Sequence, residues 1–280
     1  MNIHIAKSAG YCFGVERAIK IALKNEGNPA SVLGHLIHNT QVTDKLAKKG
    51  ISSVDSLDQV QDPTVIISAH GQSDAVRNDV VKKGFTMIDA TCPLVYKVHT
   101  IAKLMEQEGR QVIIFGDRNH VEVKGIAGNL QKPIIINSME EAKALVHFDK
   151  IGFISQTTQM TAKFLAIAEE LKNHTPDFKL SDTICLPTKQ RQDAAKELAG
   201  KVDLMIVIGG LKSSNTTKLY HICQKHTESH KIETKDELDS QWFRGKSEIG
   251  ITAGASTPDW VITEVVEKIK EFESLMPDVP

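Results

Sequence analysis

The sequence predicts an α/β protein of three small domains, each with a parallel sheet, arranged around one central site. Apolar segments of strand length alternate with segments of helical periodicity along all 280 residues. Such alternation is typical of parallel sheets joined by right-handed crossovers. A cysteine, a helix and a buried strand with a polar end follow one another three times. A chain of this length is also expected to form two or three compact units.

The spacing of this repeat predicts the domain boundaries. We expect domains at 13–92 and 93–181, and a third at 182–280 that is joined by residues 1–12, so that the first strand belongs to the last unit. The cysteine and the next polar strand end are 26, 28 and 28 residues apart in the pairs Cys12 and His38, Cys92 and His120, and Cys185 and Ser213.

The first third of the chain starts with an alternating strand and continues with apolar strands separated by helices. Gly50 follows a segment of helical periodicity and is a typical helix stop. Two strongly apolar runs end in polar residues, as expected of buried parallel strands. The expected elements are strand 2–7, helix 15–23, strand 30–37, helix 41–49, strand 63–68, helix 73–83 and strand 84–88.

The rest of the chain repeats the pattern twice. Gly109 and Gly200 are the helix stop signals there. The next elements are helix 94–107, strand 111–115, strand 133–137, helix 139–146, strand 151–155, helix 161–172 and strand 178–181. The last third contains helix 190–199, strand 203–208, helix 216–225, a weak strand at 231–234, strand 248–252 and helix 260–273.

Composition and charge exclude several classes of function. The net charge is −1, with 34 Lys and Arg against 35 Asp and Glu, so neither a nucleic acid nor an anionic membrane is an expected partner. No apolar run approaches the roughly 18 residues that span a bilayer, and the N-terminus lacks the apolar core of a signal peptide. We therefore expect a cytoplasmic protein whose four cysteines are reduced.

Cys92 lies where a predicted strand turns into a helix, with Pro93 at the first helical position. The unsatisfied amide groups at a helix start stabilise a thiolate. Considered alone, this cysteine has an alternative interpretation as a small packing residue. The equivalent placement of Cys12 and Cys185 favours a functional role, whereas Cys223 lies inside a predicted helix and is expected to pack.

Three cysteines from three repeats suggest a soft metal site. A structural zinc site would need a fourth protein ligand and usually paired C-x-x-C spacing, and the chain offers neither. An iron–sulfur cluster held by three thiolates leaves one iron open to a substrate oxygen. We therefore expect Cys12, Cys92 and Cys185 to be the metal ligands.

The strand ends carry residues suited to a phosphate or diphosphate. Ligands of parallel sheets collect beyond the carboxyl ends of the strands, and Ser, Asn and His donors at helix starts bind anions. Neither a P-loop nor a G-x-G-x-x-G motif is present, so a nucleotide, nicotinamide or flavin is not expected. The candidate substrate-binding residues are His38, His70, His120, Ser213, Ser214, Asn215 and Ser256.

Glu122 and Thr157 are further candidates at strand-end loops. Glu122 follows His120 by two residues, and a carboxyl beside a cluster and an anionic ligand should have a raised pKa, which fits a proton donor. The alternative is a solvated surface Glu. Thr157 is suited to hold a substrate hydroxyl or to cap the next helix. These residues alone suggest an iron–sulfur enzyme acting on a small phosphorylated substrate; a metal-dependent hydrolase and a non-catalytic sensor of a phosphorylated metabolite remain open.

The chain also resembles the 4-hydroxy-3-methylbut-2-enyl diphosphate reductases, the IspH/LytB enzymes, along its whole length. Thr40 and Val121 stand where proline is common in that family, and Gln72 where valine is common, but every candidate ligand is present. The matching motifs are AGYCFGV at 9–15, GHLIHN at 34–39, SAHG at 68–71, DATCPLV at 89–95, Gly116-Asp117 with His120 and Glu122, QTT at 156–158, SSNT at 213–216 and GITAGASTPD at 250–259.

The resemblance implies a fold of three α/β domains in a pseudo-threefold (trefoil) arrangement around a central iron–sulfur site. It also implies an oxidoreductase of the last step of non-mevalonate isoprenoid biosynthesis. An allylic alcohol diphosphate would lose its hydroxyl by two-electron reduction, giving isopentenyl and dimethylallyl diphosphates. Cys12, Cys92 and Cys185 would hold a 4Fe–4S cluster with an open apical iron, and a ferredoxin or flavodoxin would donate single electrons. Glu122 would deliver protons with His120 assisting and Thr157 orienting the hydroxyl; His38, His70, Ser213, Ser214, Asn215 and Ser256 would bind the diphosphate.

Overall fold

The computed structural model describes residues 1–211 and 213–275. Lys212, in a predicted strand-end loop, and residues 276–280, in the third predicted domain, lie outside the described residues. The described strands are β1 (Asn2–Ile5), β2 (Ala30–Leu33), β3 (Ile51–Val54), β4 (Thr64–Ile67), β5 (Thr86–Asp89), β6 (Gln111–Phe115), β7 (Ile134–Ile136), β8 (Lys150–Ser155), β9 (Asp177–Leu180), β10 (Leu204–Ile208), β11 (Glu228–Ile232) and β12 (Glu248–Ala253).

Helices connect most of these strands. Ten α-helices occur among the described residues, together with a few single turns of 3-10 helix. The helices are α1 (Phe13–Leu23), α2 (Thr40–Ala47), α3 (Asp74–Lys82), α4 (Pro93–Gln107), α5 (Val121–Ala127), α6 (Met139–Lys143), α7 (Thr161–Leu171), α8 (Leu186–Ala199), α9 (Ser214–Cys223) and α10 (Asp259–Leu275). In this part of the chain no helix combines the length and the apolar character needed to cross a membrane.

The strands form three four-stranded parallel sheets with one common strand order. The orders are β3-β2-β4-β5, β7-β6-β8-β9 and β11-β10-β12-β1. In each sheet the last edge strand leads directly towards one of Cys92, Cys185 and Cys12. Strand β1 pairs in parallel with β12, with Asn2 opposite Glu248. This pairing confirms that the first strand completes the sheet of the C-terminal part.

The chain divides into two compact units. The first unit contains residues 1–12, 38–42 and the described chain from Leu186 onward, with sheet β11-β10-β12-β1. The second unit contains residues 13–37 and 43–185, with the other two sheets. The finer division into domains at 13–92, 93–181 and 1–12 with 182–280 stays a prediction.

The central strands are apolar on both faces because helices cover both sides of the sheets. In β10, Leu204, Ile206 and Ile208 pack in one core with α10, whereas Met205 and Val207 pack in another with α8 and α9. Residues alternate between the faces of a strand, so a strand buried on both faces is apolar throughout. Each fully buried side chain of this size contributes roughly 1.5–3 kcal/mol to folding.

Several element boundaries differ from the expectation. Strand β2 ends at Leu33 instead of residue 37, because Gly34 has a φ of 78° and turns the chain. Helix α8 begins at Leu186 instead of residue 190, since Pro187 is in the first turn, where proline is tolerated. Helix α5 was not predicted, because it is short and contains Gly125. Strand β3 was not predicted either, since half of its residues are exposed.

A network of polar side chains holds the end of β5 against α3 and α4. The Asp89 carboxylate accepts hydrogen bonds from the Thr91 amide at 2.9 Å and from the Tyr96 hydroxyl. It also pairs with Arg77 at 2.7 Å, and the Arg77 guanidinium lies 5.3 Å from the centre of the Tyr96 ring. Partial burial raises the pKa of Asp89, but the hydrogen bonds from Arg77, Thr91 and Tyr96 outweigh it and lower the pKa to about 2.

We expect Asp89→Asn to lower stability at neutral pH by about 1–2 kcal/mol, because a partly buried charged acceptor is lost. An unfolded Asp has a pKa of about 3.9, so the contribution of Asp89 is fully present above about pH 4 and is lost as the pH falls towards 2. Urea unfolding at pH 7 and at pH 3 measures both effects. Asp58→Asn is the control, because the Asp58–Lys83 ion pair at 2.7 Å is exposed and should matter little. Equal effects of the two substitutions would contradict the prediction.

Candidate active site

Cys12, Cys92 and Cys185 occupy the same place in the local fold. Each cysteine directly precedes a helix, because α1, α4 and α8 begin at Phe13, Pro93 and Leu186. Each follows the edge strand of its sheet, and each side chain is partly exposed and forms no disulfide. The first turns of these helices place backbone amide groups that have no intrahelical partner near the three cysteines.

A backbone hydrogen bond fixes each of these cysteines. The cysteine amide donates to the carbonyl that lies two residues beyond the end of the adjacent central strand, β12, β4 or β8. The equivalence therefore extends to the backbone contacts and not only to sequence spacing. The three bonds are Cys12 to Ala255 at 3.2 Å in the first unit, and Cys92 to Ala69 and Cys185 to Thr157, both at 3.0 Å, in the second unit.

Cys223 differs from the other three cysteines in its burial and in its position within a helix. It is fully buried in α9 and packs with Met205, Val207 and Leu219. Burial raises the pKa of its thiol to about 12, so a thiolate is disfavoured there. The prediction that Cys223 is a packing residue is confirmed.

Glu122 and Thr157 meet in the second unit. Glu122 is in the first turn of α5 and is only 2% exposed. Its carboxylate accepts two hydrogen bonds from Thr157, from the amide at 2.6 Å and from the hydroxyl at 2.9 Å. The carbonyl of Thr157 accepts the bond from Cys185. Thr157 therefore connects the buried carboxyl to a candidate metal ligand. The burial of Glu122 excludes its alternative interpretation as a solvated surface residue.

His120 and His70 lie beside each other in the second unit. His120 caps α5, because its Nδ1 accepts from the Glu122 amide at 3.2 Å. The ring of His70 meets that of His120 edge to face, with centroids 5.5 Å apart. Since His120 Nδ1 is an acceptor, its Nε2 carries the proton in the neutral ring.

Gly116 and Gln156 hold these loops together. A Cβ at Gly116 would lie 2.7 Å from Val123 Cγ2, so only glycine lets α5 approach the end of β6 this closely. Gln156 accepts from the Asp117 amide at 3.2 Å and donates to the Thr158 hydroxyl at 3.1 Å. No role of Gln156 is predicted from the sequence, because a lone Gln gives no signal of its own outside the family motif.

In the first unit, Ser213, Ser214 and Asn215 form the start of α9. Ser213 caps the helix by accepting from the Thr216 amide at 3.4 Å, and the Ser214 hydroxyl accepts from Lys218 at 2.8 Å. Asn215 is 6% exposed, and neither atom of its amide group has a hydrogen-bond partner among the described residues. A buried amide without partners costs about 1–3 kcal/mol, so Asn215 is suited to a polar ligand.

Ser256 and His38 are also together in the first unit. The Ser256 hydroxyl donates to the His38 carbonyl at 2.9 Å. A Cβ at Gly210 would lie 3.1 Å from the same carbonyl oxygen, so glycine allows the two loops to approach. Of the candidate residues, this unit holds Cys12, His38, Ser213, Ser214, Asn215 and Ser256, whereas the second unit holds Cys92, Cys185, His70, His120, Glu122 and Thr157.

Comparisons with known proteins identify the family of this chain. The family described as LytB protein matches residues 3–270. A 4-hydroxy-3-methylbut-2-enyl diphosphate reductase of Nitratiruptor sp. is 42% identical over 277 residues, which are 98% of this chain and 100% of the relative.

Two solved structures are similar as well. The structure of (E)-4-hydroxy-3-methyl-but-2-enyl diphosphate reductase, the terminal enzyme of the non-mevalonate pathway, is 38% identical with a TM-score of 0.71 and covers 97% of this chain and 100% of its own. The E-1-hydroxy-2-methyl-but-2-enyl-4-diphosphate reductase from Plasmodium falciparum is 32% identical with a TM-score of 0.88 and covers 99% and 88%. The chain therefore belongs to the LytB protein family.

Proposed function

We propose that this protein reduces 4-hydroxy-3-methylbut-2-enyl diphosphate to isopentenyl diphosphate and dimethylallyl diphosphate, the last step of the non-mevalonate pathway. The observation that carries the proposal is the contact series from Glu122 through Thr157 to Cys185, which connects a buried carboxyl to a candidate metal ligand. The named relatives support the substrate. In the reaction the carbon–oxygen bond of the allylic alcohol breaks, two electrons and two protons enter, a carbon–hydrogen bond forms and water leaves.

The cofactor in this proposal is a 4Fe–4S cluster held by Cys12, Cys92 and Cys185, with one iron open to substrate. The donor set fits, since three partly exposed thiols have equivalent backbone positions at helix starts, whereas Cys223 is buried with a raised pKa. When bound, such a cluster would supply the electrons and a Lewis-acidic iron.

Glu122 is the proton donor in the proposed reaction. Glu122 is only 2% exposed, which limits competition from water for its hydrogen bonds. Thr157 donates hydrogen bonds to both of its carboxylate oxygens. The Thr157 hydroxyl would rotate to meet the hydroxyl of the substrate and orient it. His120 would assist with the proton on Nε2, because its Nδ1 is occupied by the helix amide.

The diphosphate would be bound by His38, His70, His120, Ser213, Ser214, Asn215 and Ser256. Asn215 supports this assignment most directly, because its amide is buried and no described residue satisfies it. The start of α9 adds unsatisfied backbone amides, which favour an anion. Gly209, with a φ of 149°, brings the backbone close to α9, since a Cβ there would lie 2.5 Å from the Thr216 hydroxyl.

The electrons would come from a one-electron donor such as a ferredoxin or flavodoxin. The chain has no hydride-cofactor motif, which supports an external donor. None of the four cysteines forms a disulfide, which supports a reducing compartment such as the cytoplasm.

The cluster assignment is tested with Cys92→Ser and the matched control Cys223→Ser. After anaerobic reconstitution, we expect the wild type and Cys223→Ser to show broad visible absorption and about four irons per chain. Cys92→Ser should lose most of both, because one ligand is removed. A colourless wild type, or one that holds a single zinc, would favour the hydrolase instead.

Glu122→Gln is expected to lower kcat by about 100-fold or more, because the amide keeps the hydrogen bond from the Thr157 amide but cannot deliver a proton. Iron content should remain that of the wild type. Glu140→Gln, at an exposed position of α6, is the control and should have full activity. The measurement is the turnover rate with a chemical one-electron reductant. A wild-type rate in Glu122→Gln would rule out the proton-donor role and would favour a binding protein or a different acid.

Asn215→Leu is expected to raise KM by about tenfold with a smaller change in kcat, because it removes binding that substrate and transition state share. The melting temperature should stay the same or rise, since the substitution removes a buried amide without partners. Asn78→Leu on the exposed face of α3 is the control. An unchanged KM would remove Asn215 from the binding site.

A further inference from the structure

Arg17 joins the helix that follows Cys12 to the loop before Cys92 by a hydrogen bond. It lies in α1, the helix that follows Cys12. Its Nη1 donates to the carbonyl of Thr91 at 2.9 Å. Thr91 is 3% exposed and directly precedes Cys92. The helix that starts at one cysteine therefore holds the backbone next to a second one.

In the first unit, Arg191 makes an equivalent hydrogen bond to the loop before Cys12. It lies in α8, the helix that follows Cys185, and is only 3% exposed. Its Nη2 donates to the carbonyl of Gly10 at 2.7 Å, and its Nη1 donates to the carbonyl of Pro187 at 3.3 Å. Gly10 lies two residues before Cys12.

The loop at Gly10 has little freedom to adjust. Gly10 has a φ of 92°, and a Cβ there would lie 2.8 Å from Asp259 Oδ1. The backbone is therefore packed against the start of α10 on one side and hydrogen-bonded to Arg191 on the other. A hydrogen bond from a charged donor contributes roughly twice as much as a neutral one, so the guanidinium is a strong restraint on this loop.

The loop before Cys185 is held by a threonine instead. The Thr183 hydroxyl accepts from the Ser155 amide and donates to the Ser155 carbonyl, both at 2.7 Å. These hydrogen bonds to Ser155 of β8 anchor the loop before Cys185 to its own sheet. An arginine from a helix holds the other two of these loops, those before Cys92 and Cys12.

We propose that Arg17 and Arg191 are positioning residues that hold the Cys92 and Cys12 loops for metal binding and supply positive charge beside them. The inference rests on the proposed function, since it concerns the cluster that those cysteines would hold. A cluster with three thiolate ligands is anionic, and a partly desolvated cation nearby stabilises it, most strongly after it gains an electron. Loss of either arginine should therefore release iron faster and make the reduction potential more negative.

The test uses Arg17→Gln and Arg191→Gln, with Arg17→Lys and Arg191→Lys to keep the charge while removing the fork of donors. Arg110→Gln is the matched control. Arg110 is also partly buried and also donates to backbone carbonyls, those of Ile151 and Asp177, but at the amino ends of the strands. It pairs there with the carboxylates of Glu108 and Asp177. Iron release to a chelator and the midpoint potential are measured anaerobically on the reconstituted full chain, and circular dichroism checks the fold.

We expect both Gln variants to release iron about tenfold faster or more, as is typical when a residue behind a metal ligand is removed, and to have a lower midpoint potential. The Lys variants should keep the potential near that of the wild type while releasing iron faster. Arg110→Gln should match the wild type in both measurements even if its melting temperature falls.

Wild-type release rates and potentials in the folded Gln variants would overturn the proposal, as would an equal change in Arg110→Gln. If a Gln variant does not fold, the corresponding Lys variant decides, because unchanged iron release in it would equally contradict the positioning role. A wild-type protein that takes up no iron would instead refute the proposed function itself, so the two failures are distinguishable.

Discussion

One backbone hydrogen bond, repeated three times, sets the position of the helices that begin after Cys12, Cys92 and Cys185. Each bond joins the cysteine amide to a carbonyl just beyond the adjacent central strand. The amide of a residue at a helix start has no partner within the helix, so the strand-end loop satisfies it. The bond attaches each helix to its sheet at the edge where, in parallel sheets, ligands collect. The polar loops at that edge can therefore differ in sequence among the three sheets while the cysteines keep equivalent backbone positions.

Polar groups in the candidate site are buried in two different ways. The carboxylate of Glu122 is satisfied by the amide and the hydroxyl of Thr157, so its burial is offset within the protein. The amide of Asn215 has no such compensation among the described residues. A buried group whose hydrogen bonds are made within the protein is held in place. A buried group without a hydrogen-bond partner is stabilised when a polar ligand binds to it. The contrast supports proton delivery by Glu122 and ligand binding by Asn215 as distinct tasks.

Glycine and the apolar cores provide the rigidity that these polar groups need. Thr216 is fully buried, and a Cβ at Gly254 would lie 2.4 Å from its hydroxyl, so the start of α9 rests directly on backbone. Phe153 and Phe164 stack at 4.7 Å between β8 and α7, which stabilises the strand that leads to Thr157. The cost of burying polar groups at the strand ends is met by such packing elsewhere in the unit.

Much of the fold could be predicted from sequence, because apolar runs on strands buried on both faces are unmistakable. The cysteine repeat correctly indicated three equivalent sheets and placed β1 with β12. Helix α5 was not predicted, because it is short and contains Gly125, which has low helix propensity. Burial of Glu122 could not be inferred either, because it depends on the close approach of α5 to Gly116 at the end of β6.

The sequence by itself determined which residues are candidates, because residue type and order along the chain carry the motifs. It also determined the alternation of strands and helices, since that follows from local periodicity. Only the tertiary structure decided that Thr157 contacts both Glu122 and Cys185, and that Arg17 and Arg191 reach the loops before Cys92 and Cys12. Such contacts join residues far apart in the chain, and no local pattern encodes the distance between two loops that packing brings together.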